Sequence, residues 1–187
     1  LPQIFTIKNK LKYKHFYFGG VIMGFLGISL LFVGITLVSN GLHRFFNTDG
    51  KSIAVMNLFT GFIIVTGNII MLAKANDIMQ YQNVASGFLF GITYLFIAAN
   101  YLFKLDLRPF GLFSLFVAIY ASIMAILSYG VDIRFVLLWG IWAILWLEGF
   151  LELVLKLKLE KIFPYLSIAV GLFAAFIPAI FMLTNKW

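Results

Sequence analysis

Three of the chain's four tryptophans fall in one nine-residue stretch, LWGIWAILW, from Leu138 to Trp146. They lie inside an apolar run and not at its ends. An indole offers a flat hydrophobic wall with a single N–H donor on its edge. At about 100° per residue, Trp139, Trp142 and Trp146 share one helical face within about 60°. Membrane tryptophans normally sit at headgroup level. Trp187 and Tyr165 are placed for that role; Trp142 and Trp146 are not. Two further stripes have matching spacing: Val33, Leu37 and Asn40 at i, i+4 and i+7, and Phe90 and Tyr94 at i and i+4. A slot between such faces would be greasy and flat-walled. The Asn40 amide, the Tyr94 hydroxyl and the indole N–H groups would edge it. It would suit a small, planar, neutral, polar molecule that stacks its face on rings and hydrogen-bonds at its edges. An ion would find too little there to replace its hydration. Plain helix packing, with no pore, is the other reading of the tryptophan spacing.

Other chemistries are poorly served. Cysteine is absent, and the two histidines, His15 and His43, lie outside the apolar runs. Thiolate catalysis, disulfides and cysteine-based metal sites are therefore excluded. Lys51-Ser52 lacks the upstream glycine spacing of a phosphate-binding loop. Nothing resembles a catalytic triad or a metal cluster, so no cofactor is expected. No Lys, Arg or His lies within the apolar runs, which argues against a proton- or ion-coupled pump. Glu148 is the one ionisable residue well inside a run. It points about 150° from the tryptophan face, so it is expected to face another helix or subunit, with a structural role at a protomer interface. Glu152 is expected to pair with Lys156 at i+4. Asp106 and Arg108 are expected to pair and tie down their loop.

These residues are carried by a membrane chain. Of 187 residues, 63% are hydrophobic and 11% charged, against about 25% charged in soluble domains. Six apolar runs are visible, at 21–41, 53–73, 84–103, 110–129, 135–155 and 164–183. Each has about 20 residues, enough to cross a hydrocarbon core as a helix. Barrel strands alternate apolar and polar residues over about ten positions, and these runs do not. The fold class is an all-α integral membrane protein with six transmembrane helices. The breaks carry turn signals in Asn47-Thr48-Asp49-Gly50, in Leu105-Asp106-Leu107-Arg108-Pro109, and in Lys161-Ile162-Phe163-Pro164. Pro109 and Pro164 suit a first helical turn. The net charge of +7 is read as cytoplasmic loops, with no nucleic acid as partner.

Lysine and arginine set the orientation. The loops after runs one, three and five hold Arg44, Lys51, Lys104, Arg108, Lys156, Lys158 and Lys161. The opposite side holds Lys74, Arg134 and Lys186, with Lys8, Lys10, Lys12 and Lys14 at the N-terminus. That is a tie, broken only if residues 1–22 are set aside; both termini then face outward. Residues 1–22 are read as a basic N-terminal extension and 23–187 as the channel domain. Two readings of the extension stand. Met23 opens MGFLGISLLFVG, a plausible start, and Gly19-Gly20 fits purine-rich codons of a ribosome-binding site, so 1–22 could be a non-native leader. Alternatively it is a genuine basic arm or the n-region of a signal-anchor.

A repeat runs through the spans. Leu31-Phe32-Val33-Gly34-Ile35-Thr36 returns as Phe88-Leu89-Phe90-Gly91-Ile92-Thr93, and Leu137-Leu138-Trp139-Gly140-Ile141-Trp142 follows on the fifth run. Leu58-Phe59 returns as Leu115-Phe116. The chain thus reads as three repeated helical hairpins, which would set runs one, three and five in equivalent positions around a central pore axis. Small residues near these positions allow close helix approach.

Seven motifs carry a resemblance: LLFVGITLVSNG (30–41), KSIAVMN (51–57), GFLFGITYLFIAAN (87–100), LDLRPF (105–110), SLFVAI (114–119), WGIWAILWL (139–147) and FIPA (176–179). In this order and spacing they resemble the bacterial family of urea channels and short-chain amide transporters, of the UreI/AmiS type. The resemblance implies six helices from three hairpins, a channel within each protomer, and a homohexameric ring enclosing a plug of membrane lipids. It also implies a constriction lined by Val33, Leu37, Asn40, Phe90, Tyr94, Trp142, Leu145 and Trp146. Two departures stand out. A channel-facing glutamate of the family matches Val170 here, and the outward loops 74–83 and 130–134 hold only Asp77 and Asp132, with no histidine. Histidine is the natural sensor between pH 5 and 8, so little acid activation is expected. The leading expectation is a passive urea channel in the bacterial cytoplasmic membrane, supplying a cytoplasmic urease. A channel for acetamide-like amides, coupled to an amidase, is the alternative. A non-transporting membrane scaffold is a third reading, in which Trp142 and Trp146 would be dispensable.

Overall fold

The computed structural model describes the backbone of residues 2–187 and the side chains from residue 22 onward. The side chains of nearly all of the expected 1–22 extension therefore lie outside the described residues. The helices are α1 (Pro2–Phe46), α2 (Gly50–Leu72), α3 (Ile78–Phe103), α4 (Arg108–Ser128), α5 (Ile133–Leu153), α6 (Phe163–Val170) and α7 (Ile177–Leu183). A π-helical segment, Gly171–Phe176, joins the last two. Six spans are long and apolar enough to cross a membrane, beginning with Ile22–Phe46 inside α1 and ending with Phe163–Leu183, formed by α6 and α7 together. There is no strand among the described residues.

The helix starts follow local chemistry. Asp49 accepts from the Ser52 amide at 3.1 Å, Asp77 from the Gln80 amide at 2.9 Å and Asp132 from the Arg134 amide at 2.9 Å. These three N-caps satisfy orphan donors of α2, α3 and α5. Pro109 and Pro164 occupy the first turns of α4 and α6, where a missing N–H costs nothing. The sixth apolar run is not one regular helix, as its sequence suggests. Pro178 cannot donate to the carbonyl of Ala174 and its ring crowds that turn. The wider π segment lies directly before it.

The packing follows the sequence repeat in an offset way. The second helix of each sequence hairpin packs chiefly on the first helix of the next: α2 on α3, α4 on α5, and the sixth span back on α1. The two helices of a single hairpin touch far less. The last step closes the circle. At that closure a Cβ on Gly34 would lie 2.7 Å from the Phe176 backbone nitrogen and 2.8 Å from the Gly171 carbonyl oxygen. Only glycine admits so close an approach. Polar side chains tie α1 to both neighbours, α2 and the sixth span. The Thr36 and Thr60 hydroxyls meet at 2.6 Å, and the Ser167 hydroxyl donates to the Leu37 carbonyl at 2.7 Å. Outside, Phe62, Phe116 and Ile126 are exposed, as the lipid-facing side of a membrane bundle requires.

Candidate functional site

The aromatic face of α5 meets α3. The Phe90 ring lies 4.8 Å from Trp142 and 4.7 Å from Trp146, at interplanar angles of 79° and 77°. Edge-to-face geometry of this kind suits the opposite charge of ring rim and ring face. Trp139 extends the wall, 5.1 Å from Trp142 and 6.3 Å from Phe90. Val33, Leu37, Tyr94, Trp142 and Trp146 are buried in one apolar cluster, with Phe90 and Leu145 packed against it. So α1, α3 and α5 bring together seven of the eight residues expected to line a constriction. Val170, in the position where the resemblance leads one to look for a glutamate, is buried in the same apolar cluster.

Asn40, the eighth, is buried as well. Its amide exchanges hydrogen bonds with Asn57 of α2: Asn40 Nδ2 donates to Asn57 Oδ1 at 3.1 Å, and Asn57 Nδ2 donates to Asn40 Oδ1 at 2.7 Å. Asn57 also donates to the Ile53 carbonyl at 2.9 Å, which fixes which way both amides point. Each Asn40 group retains one further donor or acceptor position. The Trp142 Nε1 group is buried and has no partner among the described residues. A buried donor without a partner is costly, and here it sits on the wall of the aromatic cluster. The arrangement offers flat faces for stacking and a small number of fixed hydrogen-bonding edges.

Two local ion pairs form at the ends of the bundle. Arg108 and Asp106 meet at 2.6 Å, as the sequence predicts. Arg134 and Asp132 meet at 2.7 Å. The Arg108 side chain holds the Asp106 carboxyl down at a pKa of about 2. The Arg134 side chain likewise lowers Asp132, and the Ser52 amide lowers Asp49. An open pocket of about 520 Å³ lies between the start of α2 and the end of α3, with Lys51, Asn100, Tyr101 and Lys104 on its walls.

Two expectations about charge are corrected. Glu152 pairs with Arg44 at 3.0 Å, not with Lys156. Helix α5 stops at Leu153 and Lys156 adopts a left-handed backbone with φ 57°, so the i+4 geometry is lost. Glu148 is 5% exposed within the single chain, beside Glu152 and within electrostatic reach of Arg44. It is buried against other helices of its own chain, one of the two expected placements; the expected burial at a protomer interface is what is corrected, since no neighbouring subunit is needed to cover it. Sequence reasoning missed Arg44. The signal was present, since Arg44 stands at i+4 from Asn40 on the same α1 stripe.

Six apolar spans around an aromatic-walled interior define a membrane protein that handles a small solute. The chain belongs to the AmiS/UreI family of transporters, whose pattern matches residues 25–186; the family transports and is not a family of enzymes. The acid-activated urea channel of Helicobacter pylori strain J99 is 37% identical over 87% of this chain and 99% of that protein. A putative amidate substrates transporter protein of Mycolicibacterium smegmatis is 30% identical over 86% of this chain and 78% of its own length. The crystal structure of the Helicobacter pylori urea channel superposes with a TM-score of 0.80 at 38% identity, covering 87% of this chain and 99% of the other.

Proposed function

We propose that the protein is a passive urea channel of the bacterial cytoplasmic membrane. Each protomer conducts through its own bundle, along a path lined by Val33, Leu37, Asn40, Phe90, Tyr94, Trp142, Leu145 and Trp146. The observation that carries the reading is the Trp142–Phe90–Trp146 cluster with its unpartnered indole N–H. Urea is planar and neutral, and it has a carbonyl oxygen for that donor. The likeness to a urea channel over nearly the whole chain supports the same solute. We further propose a homohexameric ring around membrane lipid, both termini outside, and a cytoplasmic urease as consumer of the solute. With residues 1–22 set aside, the excess of lysine and arginine in the loops after α1, α3 and α5 supports that orientation. The outward loops carry Asp77 and Asp132 as helix caps, so the channel is open at neutral pH without acid activation.

A second reading, a channel for short-chain aliphatic amides that feeds an amidase, is favoured by the Mycolicibacterium smegmatis relative. Stopped-flow uptake into proteoliposomes at pH 7.5 separates the two. Fast, non-saturating urea entry that Trp146→Ala alters supports the urea channel. Acetamide entering faster than urea moves the protein to the amide branch. Flux no greater than in empty vesicles, from folded protein, returns the scaffold reading.

A further inference from the structure

The open pocket at the end of the bundle lies where α2 begins and α3 ends. None of the residues around it belongs to the proposed solute path. At about 520 Å³ it falls in the size range of small-ligand sites, about 300–1,000 Å³. Two apolar spans end here, Gly50–Leu72 at its first residue and Ile78–Phe103 at its last. The pocket therefore sits at the level where hydrocarbon gives way to headgroups.

Its walls are basic and fixed in place. Lys51 and Lys104 both line it, and neither forms an ion pair among the described residues. Asp49 shares the rim, but its carboxylate is committed as the α2 cap. It accepts from the Ser52 amide at 3.1 Å and the Ser52 hydroxyl at 3.2 Å. Two lysines against one capping aspartate leave the pocket positive. The Tyr101 ring is held from two sides. A Cβ on Gly50 would lie 3.0 Å from Tyr101 Cδ1, and the His43 ring meets Tyr101 edge-on at 5.2 Å. His43 is itself tied to the Thr48 hydroxyl at 2.9 Å. Tyr101 and Asn100 add a hydroxyl and an amide, both able to donate to a phosphate oxygen. Lys104 is placed by its backbone. It caps α3 in a left-handed conformation, φ 53° and ψ 52°, with its N–H on the Asn100 carbonyl at 2.8 Å. That conformation favours glycine, so helix termination does not account for a lysine at this position.

The pocket continues into an apolar stripe. Lys51, Val55, Leu58 and Phe62 stand at i, i+4, i+7 and i+11 on α2 and share a face. All four are exposed. On α3, Leu102 and Phe103, next to the pocket in the chain, are exposed as well. A cationic, donor-rich cup at the end of an exposed apolar stripe matches the two halves of an anionic phospholipid. Its phosphate takes the lysines, and an acyl chain lies along α2. An acidic soluble partner would leave the stripe unused.

We propose that the pocket between Lys51 and Lys104 binds the phosphate headgroup of an anionic phospholipid, separately from the solute path. In the orientation proposed above, that lipid belongs to the inner leaflet.

The test is the melting temperature of the purified chain in neutral detergent, with phosphatidylglycerol or phosphatidylcholine added in equal amounts. Phosphatidylglycerol should raise it more, because the choline cation cancels the phosphate charge. Lys51→Gln and Lys104→Gly should each remove about half of the difference between the two lipids. Lys104→Gly is the sharper variant. It gives the left-handed position its favoured residue while removing the ammonium, so the fold without lipid is expected to melt no lower than wild type. Lys74→Gln, which removes an exposed lysine outside the pocket, should keep the wild-type response. Equal shifts from the two lipids, or pocket variants that respond as wild type does, overturn the proposal. So does an equal loss in Lys74→Gln, since the response would then follow net charge alone. A matching shift from inorganic phosphate without lipid would make this a site for soluble anions and overturn the lipid assignment. Native mass spectrometry of wild type released from micelles holding equal amounts of both lipids needs no variant. Preferential retention of phosphatidylglycerol is expected, and equal retention counts against the site. No readout here involves urea flux, so failure of the channel reading and failure of this site are separately visible.

Discussion

Asn40 and Asn57 exchange two hydrogen bonds between α1 and α2, at 3.1 and 2.7 Å, and both side chains are buried. The pair does two things at once. It ties α1 to α2, and it fixes the orientation of an amide on the expected pore stripe. A polar contact of this kind in a membrane bundle contributes about 0.6 kcal/mol on average and up to about 1.7.

Asn57→Leu should therefore act on the path from behind. Leucine is of similar bulk but leaves both bonding positions of Asn40 unmatched. A loss of about 1 kcal/mol in stability is expected, together with lower urea flux, although Asn57 is not a lining residue. Asn57→Asp, which keeps an acceptor for Asn40 Nδ2, should retain more flux than leucine. Thermal melting in detergent and stopped-flow uptake check the two effects. A leucine variant with wild-type flux would show that the orientation of Asn40 is irrelevant to conduction.

The aromatic cluster separates wall from donor. Trp142→Phe keeps a flat ring against Phe90 and deletes the indole N–H. One lost hydrogen bond of about 1 kcal/mol corresponds to roughly a fivefold fall in urea flux. Phe90→Ala instead removes the ring packed against both tryptophans. It should widen the path and raise thiourea entry relative to urea. Paired uptake of the two solutes by both variants is the measurement. Equal behaviour of both variants toward both solutes would mean that the cluster packs helices and does not sort solutes.

Much of this was legible in the chain. The six runs mark the six spans because crossing hydrocarbon requires about twenty apolar residues, a rule that acts locally. The stripes on α1, α3 and α5 were readable because helical periodicity fixes which residues share a face. What escaped depends on partners far apart in sequence. Arg44 finds Glu152 across 108 positions, a pairing that no spacing rule supplies, whereas the expected Lys156 partner was local. The asparagine pair was hidden for the same reason: only tertiary packing selects Asn57 for Asn40. The π segment was missed because Pro178 announces a disturbance without saying whether the helix will break, kink or widen.

Gly34 makes the closure of the bundle sensitive to a single methyl group. Its Cβ would meet the backbone of Phe176 and Gly171 at 2.7 and 2.8 Å, and backbone yields less easily than a flexible side chain. Gly34→Ala should cost about 1–3 kcal/mol through overpacking. Gly140→Ala on α5 is a matched control, since its Cβ would meet nothing within 4 Å. Denaturation of the two variants in the same detergent tests the contrast. Equal stability would show that α1 and the sixth span separate freely at this crossing.

The proposed insensitivity to acid is argued from the charged groups of the loops. Asp132 is held below the usual carboxylate range by the side chain of Arg134. Asp106 is held at about 2 by Arg108. A carboxylate with a lowered pKa contributes stability that is complete above the unfolded value, 3.8 for Asp106, and is lost as pH falls toward about 2. Both pairs are therefore ionised and intact at pH 5 and at pH 7.5. Loops 74–83 and 130–134 contain no histidine to gain a proton in that interval. Urea flux should change less than twofold between pH 7.5 and pH 5, and Asp132→Asn should conduct alike at both. Uptake into proteoliposomes buffered inside and outside at each pH provides the comparison. A tenfold rise at pH 5 would mean that protonation of a group outside these loops opens the path.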